Sequence, residues 1–458
     1  MEIVILAAGK GTRMRSDYPK VLHTIGGKPM LEHVIATAYS LTPTQIHVVV
    51  GHGGDKIRET FSDLDCEKIN WVVQHEQLGT GHAMQQVLPH INSTSEGNQI
   101  LVLFGDVPLV RTQTLLQLVT SCKPPSLALL TARPANPRGF GRIIRNKADK
   151  VVSIIEERDA NAEQRQINEV NTGIMAIPVV HLIRWLKALK NYNNQREFYL
   201  TDIVAMAATE QCPINALTIT DEIQVMGVND KHQLASVERH FQLRQVETLL
   251  ESGVILRDPA RLDIRGEVIC GKDTVIDCNV VLEGKVSLGN TVEIGANCII
   301  KDAVIGDGSK VLPGTHIEGS TIGNKASVGP MARLRPGTKL GDETKIGNFV
   351  ETKNAEIGKG TKANHLAYLG DVKIGENCNI GAGVIVCNYD GANKHKTIIG
   401  NNVFVGSNSV LVAPVELKDN AFVAAGSTIN TQVPADHLAV ARSKQRNIAG
   451  WKRPIKKQ

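Results

Sequence analysis

The stretch Val275–Ile300, VIDCNVVLEGKVSLGNTVEIGANCII, sets Ile276, Leu282, Leu288, Ile294 and Ile300 six residues apart. The spacing returns in Ile322, Val328, Leu334, Leu340 and Ile346, in Ile374, Ile380 and Val386, and from Ile399 through Val405, Leu411, Leu417 and Val423 to Ile429. Glycine often follows, as in Leu288-Gly289, Ile294-Gly295 and Leu340-Gly341. A helix repeats its buried face roughly every 3.6 residues and a strand about every 2, so neither gives a period of six. A coil of short strands does. Each unit is one strand and one corner, the aliphatic side chain points inward, and glycine relieves crowding at the corner. The rhythm predicts such a coil, interrupted near Thr361–Tyr368 and near Asn388–Lys396. Insertions in a repeat array tend to gather on one face and carry function.

Upstream the pattern changes. Glu2–Leu6, Ile46–Val50, Ile69–Val73 and Ile100–Phe104 are short apolar runs, with helical patterns at Leu31–Ser40, Gly81–Leu88 and Thr112–Ser121 between them. Strands alternating with helices predict an α/β, Rossmann-like domain with a largely parallel sheet, whose ligands bind beyond the carboxyl ends of the strands. Lys231–Ser252 reads as a helix with an apolar stripe at Leu234, Val237, Phe241, Leu249 and Leu250, stopped by Gly253. The expected division is therefore 1–231, a linker helix over 232–252, and the coil with its tail over 253–458.

At 458 residues the chain is too long for one ordinary domain. Aromatic content of 4% suits a narrow core of Ile, Val and Leu. Net charge is +5, and Arg442–Gln458 holds seven basic residues and no acidic one. The excess thus sits in the tail, and no basic patch interleaved with aromatics points to nucleic acid elsewhere. The eight cysteines are scattered without a C-x-x-C pair, which reads as reduced thiols of a cytoplasmic protein. No signal peptide or membrane-spanning stretch is expected.

The sharpest local signal is Leu6-Ala7-Ala8-Gly9-Lys-Gly-Thr-Arg13-Met14, followed by Pro19-Lys20. A strand delivers a glycine turn whose N–H groups can approach phosphate closely, and Arg13 and Lys20 add charge. No Gly-Lys-Ser/Thr closes it as a P-loop, and Met14 stands where the dinucleotide fingerprint needs a third glycine. The stretch resembles the signature of the sugar-1-phosphate nucleotidyltransferases. Gln74 through Gly79-Thr80-Gly81-His82-Ala83 resembles that family's base-reading segment, and Phe104-Gly105-Asp106 its metal motif, with Phe where many relatives carry Tyr. The resemblance implies sugar contacts from Gly141, Glu156, Asn171 and Asn229, and Mg²⁺ held by Asp106 and Asn229. Two anions must meet as a sugar phosphate attacks a nucleoside triphosphate, so positioning and charge neutralisation matter more than a covalent nucleophile.

The six-residue repeats resemble the left-handed β-helix acyltransferases, which implies a left-handed coil, against the usual crossover hand, and homotrimers with sites between neighbouring coils. By that resemblance His365, in Ala363-Asn-His365-Leu-Ala-Tyr368-Leu-Gly370-Asp371, is the general base. Arg335, Lys353, Tyr368 and Asn379 would bind the sugar phosphate. Ala382, Asn388, Tyr389, Ser407, Ala425 and Arg442 would contact acetyl-CoA, and the basic tail could meet its phosphates.

Nearly the whole chain resembles the bacterial enzymes that join an acetyltransferase to a uridylyltransferase; LAAGKGTRM, EQLGTGHAM, NHLAYLGD and CNYDGANK are the most specific stretches. The resemblance implies acetyl transfer from acetyl-CoA to glucosamine 1-phosphate, then coupling of N-acetylglucosamine 1-phosphate to UTP. The products are pyrophosphate and UDP-N-acetylglucosamine, a precursor of peptidoglycan and lipopolysaccharide. Two alternatives stand beside it. One is a nucleotidyltransferase for another sugar with the coil as scaffold, against which His365 with Asn388-Tyr389 speaks. The other is a binding module like the translation-factor subunits built from these folds, against which Lys20, Asp106 and Asn229 speak.

Overall fold

The computed structural model describes residues 1–62, 68–91, 98–123 and 125–456; Cys66 and the last two tail residues lie outside the described residues. The chain divides into two compact units, Met1–Phe241 and Gln242–Gln458.

The first unit is built on a sheet whose strands run in the order Ile214–Ile219, Leu127–Ala132, Val170–Pro178, Gln99–Phe104, Glu2–Ala7, Gln45–Val50 and Ile69–Val73. Neighbours are parallel except around Val170–Pro178, which runs against both its partners. Side chains alternate across the strand, so Ile3, Ile5 and Ala7 enter one core while Val4 and Leu6 enter the other. Helices Met30–Ser40 and Thr112–Ser121 cover the first face; Thr80–Val87, Val179–Ala188 and Asp202–Thr209 cover the second. Burial on both faces is why these strands read as unbroken apolar runs. Helix Lys231–Glu251 contributes Val237 and Phe241 to a small cluster with Met14, Ile25 and Met30.

In the second unit Val246 and Leu249 of the same helix join the core of the coil beside Leu262 and Ile264. The coil is a stack of parallel strands, as the period of six requires. On one face Val275 pairs with Glu293, Glu293 with Lys310, Lys310 with Ser327, Ser327 with Lys345, Lys345 with Lys362, and Lys362 with Asn379. Successive differences of 18, 17, 17, 18, 17 and 17 residues show each turn to be three units long, often one residue short.

The short turns explain why the aliphatic rhythm fell into separate phases. Ile300 is followed inward by Ile305, Ile317 by Ile322, Thr352 by Ile357 and Leu369 by Ile374, each a step of five, and all are buried. At these tight corners Asp302, Gly319, Asn354 and Asp371 take φ between 46° and 53°. Gly and Asx residues tolerate that region best. Glycine after the aliphatic position answers a close approach: a Cβ on Gly295 would lie 2.8 Å from Pro313 N, and one on Gly341 2.8 Å from Lys359 N.

One expectation is corrected. Thr361–Tyr368 is no interruption. Ile357, Ala363 and Leu369 keep the six-residue step, all buried, and the strand Lys362–His365 pairs in register with its neighbours. Ala363 fills an inward position that mostly holds Ile, Val or Leu, so the rhythm was present but its marker was small. Asn388–Lys396 is a true excursion: Asn379 pairs with Phe404, 25 residues on, and a Tyr389–Lys394 bridge closes the loop. Seven of the eight cysteines fall within the described residues, all unpaired, four of them buried. No helix among the described residues is long and apolar enough to cross a membrane.

Candidate functional site

In the first unit, Glu2–Ala7 ends in the turn Ala8–Gly11. Gly11 sits at φ 60°, where a Cβ would also lie 2.7 Å from Lys20 Cβ, while nothing stands within 4 Å of a Cβ on Gly9. The turn is thus tight toward Lys20 and open at Gly9. Leu6, Ala7 and Ala8 are buried. Gly105 N–H donates to Leu6 O at 3.0 Å, and a Cβ on Gly105 would lie 3.1 Å from Ala7 Cβ, so the Phe104-Gly105-Asp106 turn closes onto the first strand. Lys20 Nζ forms an ion pair with Asp106 and donates to Asn229 Oδ1 at 3.2 Å. Asn229 is held from behind: its N–H donates to Gln233 Oε1 at 2.7 Å, and Gln233 N–H donates to Asp230 Oδ1 at 2.8 Å. Gln233 thereby serves the start of helix Lys231–Glu251 and the loop before it.

One carboxylate and one amide oxygen converge on a cation, here the Lys20 ammonium. Hard oxygen donors of this kind suit Mg²⁺, which keeps waters for its remaining positions. Among the described residues no group of three or more His, Cys, Asp or Glu forms a metal cluster.

Beside this pair lies a cavity of about 670 Å³. Arg13, Thr80, Phe104 and Asp106 line it, and Gly141, Glu156, Asn171 and Asn229 reach it from other strands and loops. Leu6, Ala7, Ala8, Gly9, Lys20 and Gly105 are not among its lining residues. Gln74 is buried; its Nε2 donates to Gly79 O at 3.2 Å and lies 3.0 Å from His82 Nδ1. Thr80 Oγ1 accepts from Leu200 N–H at 3.1 Å, fixing the segment after Gly79. Glu156 accepts from Thr201 Oγ1 at 3.0 Å, and burial raises its carboxyl above the usual range. Gly173, at φ 86°, would put a Cβ 2.5 Å from the Phe104 ring, so the ring is seated on bare backbone. Thr201 and Gln233 line the same cavity and were missed.

In the second unit His365 and four of the residues assigned to acetyl-CoA, Ala382, Ser407, Ala425 and Arg442, form a column, which Asn388 and Tyr389 do not join. Asn348 pairs with His365, and extending the registers of the neighbouring rungs carries His365 to Ala382, Ala382 to Ser407 and Ser407 to Ala425. Arg442 Nη1 donates to Ala425 O at 2.9 Å at the head of the column. His365 Nδ1 lies 2.8 Å from Asn348 Oδ1. Asn348 was not anticipated; the only signal is its distance of one 17-residue turn from His365.

Around the corner from this column, Tyr368 pairs in register with Glu351 on one side and Ile385 on the other. Arg335 is held by Glu351 at 2.9 Å. Lys353 stands beside Lys394, with Arg335 near, and their charges lower its ammonium pKa. Lys394, from the excursion, is a further residue to which the sequence reading assigned no role. Burial would raise the Asp371 carboxyl, but Asn354 Nδ2 at 2.7 Å and Asn388 Nδ2 at 2.5 Å, with Lys394 and Lys353 close, hold it below the usual range. Tyr389 is exposed on the excursion, its hydroxyl donating to Gly391 O at 2.6 Å. Asn379 is on the face that carries Lys362 and Phe404 and is not brought beside Arg335, Lys353 and Tyr368.

Residues 3–197 match the family described as MobA-like NTP transferase domain. Residues 264–357 match the GMPPB C-terminal domain, 371–392 the hexapeptide repeat of succinyl-transferase, and 396–431 the bacterial transferase hexapeptide (six repeats). The chain is 53% identical over 456 residues to the bifunctional protein GlmU of Marinobacter nauticus, covering 100% of this chain and 99% of that one. The GlmU proteins of Stutzerimonas stutzeri and Pseudomonas putida are 52% and 51% identical, with 100% of this chain covered and 100% and 99% of theirs. Kinship of that depth along the full length means that the chain belongs to the family of bifunctional GlmU proteins.

Proposed function

We propose that the chain makes UDP-N-acetylglucosamine in two steps. The second unit transfers acetyl from acetyl-CoA to glucosamine 1-phosphate, and the first joins the resulting N-acetylglucosamine 1-phosphate to UTP. The observation that carries the reading is full-length identity above half to proteins named bifunctional, in a chain with one candidate site in each unit.

In the first unit the sugar phosphate oxygen attacks the α-phosphorus of UTP and pyrophosphate leaves. Backbone N–H groups of Ala8–Gly11 take up phosphate oxygens, with Arg13 and Lys20 balancing their charge. Open space at Gly9 supports this. Gln74, Gly79 and Thr80 form the base side, and Gly141, Glu156 and Asn171 the sugar side of the cavity. Bound Mg²⁺ supplies positive charge beside the phosphates, and Asp106 and Asn229 are the residues that would hold it.

In the second unit His365 takes the proton from the sugar amine as the amine attacks the thioester. Arg335, Lys353 and Tyr368 hold the sugar phosphate, joined by Lys394, whose cation beside Lys353 makes an anion site. Ala382, Asn388, Tyr389, Ser407, Ala425 and Arg442 follow the thioester arm, with the basic tail toward its phosphates. Asn379 completes the sugar site from a neighbouring copy, which makes the working form a homotrimer. Met331, Phe349 and Leu366 support that assembly. They stack at one corner beside His365, are 57%, 56% and 59% exposed, and hold φ between 53° and 57°, an uncommon region for such residues.

The test separates the two half-reactions on purified full-length chain. Asp106→Ala is expected to lose uridylyl transfer by at least a hundredfold and keep acetyl transfer; His365→Ala is expected to do the reverse. Loss of both activities in either variant, with the fold intact by circular dichroism, would overturn the division of labour.

A further inference from the structure

We infer that Asn348 is the positioning residue that sets the tautomer of His365, so that Nε2 faces the substrate as a proton acceptor. The inference rests on the acetyl-transfer reading given above. Asn348 Oδ1 lies 2.8 Å from His365 Nδ1. An amide oxygen can only accept, so the ring proton stands on Nδ1 and the lone pair on Nε2. The coil enforces the pairing. Strands Lys345–Asn348 and Lys362–His365 lie side by side with Asn348 opposite His365, and Leu366 N–H donates to Asn348 O at 3.0 Å. The residues that follow, Phe349 at φ 57° and Leu366 at φ 53°, turn the chain sharply after both members of the pair. Both therefore occupy strand ends at one corner, and the side-chain bond runs parallel to the backbone bond.

During the reaction the amine nitrogen bonds to the acetyl carbon, the carbon–sulfur bond breaks, and the amine proton passes to Nε2 and on to the departing thiolate. Asn348 accepts from Nδ1–H throughout, and this hydrogen bond strengthens when the ring is cationic. A neutral partner holds the ring without fixing a proton on Nε2 beforehand, which an adjacent carboxylate would favour. The ionisable groups on these strands, besides His365, are Lys345 and Lys362 on the paired face and Glu351, Lys353, Glu356, Tyr368, Asp371 and Lys373 on the next. Glu351 is engaged by Arg335.

Two variants of the full-length protein test this. Asn348→Ala is expected to lower kcat for acetyl transfer about ten- to hundredfold with KM for glucosamine 1-phosphate unchanged, and to leave uridylyl transfer intact. Asn348→Asp, nearly isosteric, is expected to retain activity but move the acid limb of the kcat/KM profile upward by about one pH unit. An Asn348→Asp profile that superimposes on the parent, or an Asn348→Ala enzyme with full kcat, overturns the inference. If Asn348→Ala does not fold, the Asn348→Asp profile decides alone. His365→Ala run alongside separates the two levels: acetyl transfer surviving there sinks the underlying reading, whereas its loss with unmoved Asn348 variants sinks only the role of Asn348.

Discussion

Phe104 packs into the space where Gly173 has no side chain. Replacing Gly173 by Ala would force a left-handed backbone on a residue with a Cβ, at about 1–2 kcal/mol, and would push the ring toward the cavity. Gly173→Ala is therefore expected to lower the urea midpoint modestly and uridylyl transfer severely, with acetyl transfer unchanged. Equal loss of both activities would mean that the residue acts through general stability. At this scale the sequence was legible where chemistry is written locally. Asp106 and its Gly105 turn, Lys20 and the Gly9–Gly11 turn all stand in short motifs. Asn348, Lys394 and Gln233 were not legible, because each becomes a neighbour of its partner only through register or a helix start. Lys353 was assigned to the sugar phosphate by resemblance, but the second cation beside it comes from an excursion whose folding no local pattern gives.

The paired strands Arg142–Arg145 and Val151–Ile155 run between Gly141 and Glu156, which line the cavity, and a half-buried ion pair anchors them. Arg145 Nε and Nη2 each donate to Glu169 at 2.8 Å, and Thr131 Oγ1 donates to the same carboxylate at 3.0 Å. The Arg145 hydrogen bonds hold the Glu169 carboxyl below its usual range. A carboxyl whose folded value is depressed stabilises fully above the unfolded value, about pH 4, and loses that stabilisation as pH falls through the depressed one. Glu169→Gln should thus cost roughly 1–3 kcal/mol at neutral pH. The gap to the parent should shrink below about pH 4, as read by urea unfolding along a pH series; a gap constant with pH would deny the pair its role. The coil teaches the same lesson about legibility. Its existence was plain from Ile276 onward, but a five-residue step and a small inward residue such as Ala363 look from sequence like a break. The physical requirement is only that something apolar or compact fill the axis, and Thr352 and Ala363 meet it without announcing themselves.

Across the molecule, the two units were visible as two kinds of periodicity, but where one ends was not. Helix Lys231–Glu251 has an apolar stripe throughout, and nothing in it marks Phe241 as the last residue of the first unit. Phe241 stacks edge-on against His33, with ring centroids 5.2 Å apart, and Gln233 supports Asn229. A fragment Met1–Phe241 should therefore retain uridylyl transfer. One ending at Asp230, stripped of Gln233, Val237 and Phe241, should melt lower and turn over more slowly. Equal behaviour of the two fragments would show those helix residues to be dispensable to the site.

The two ends of the coil differ. At the start, Gln242 locks Ile264 through both its backbone N–H and C=O, at 2.7 and 2.8 Å, and Val246 and Leu249 plug the axis. At the finish the last rung is Leu438–Ala439, whose inward residue Ala439 is only partly buried. Repeat stacks hold each storey mainly by its neighbours, so one with a single lid unravels from the uncovered side. The order of loss follows from the column: Arg442 goes first, then Ala425 and Ser407, while His365 sits several storeys down. Gentle warming should thus slacken the grip on the thioester donor, seen as a rising KM for acetyl-CoA, before the proton-transferring centre fails.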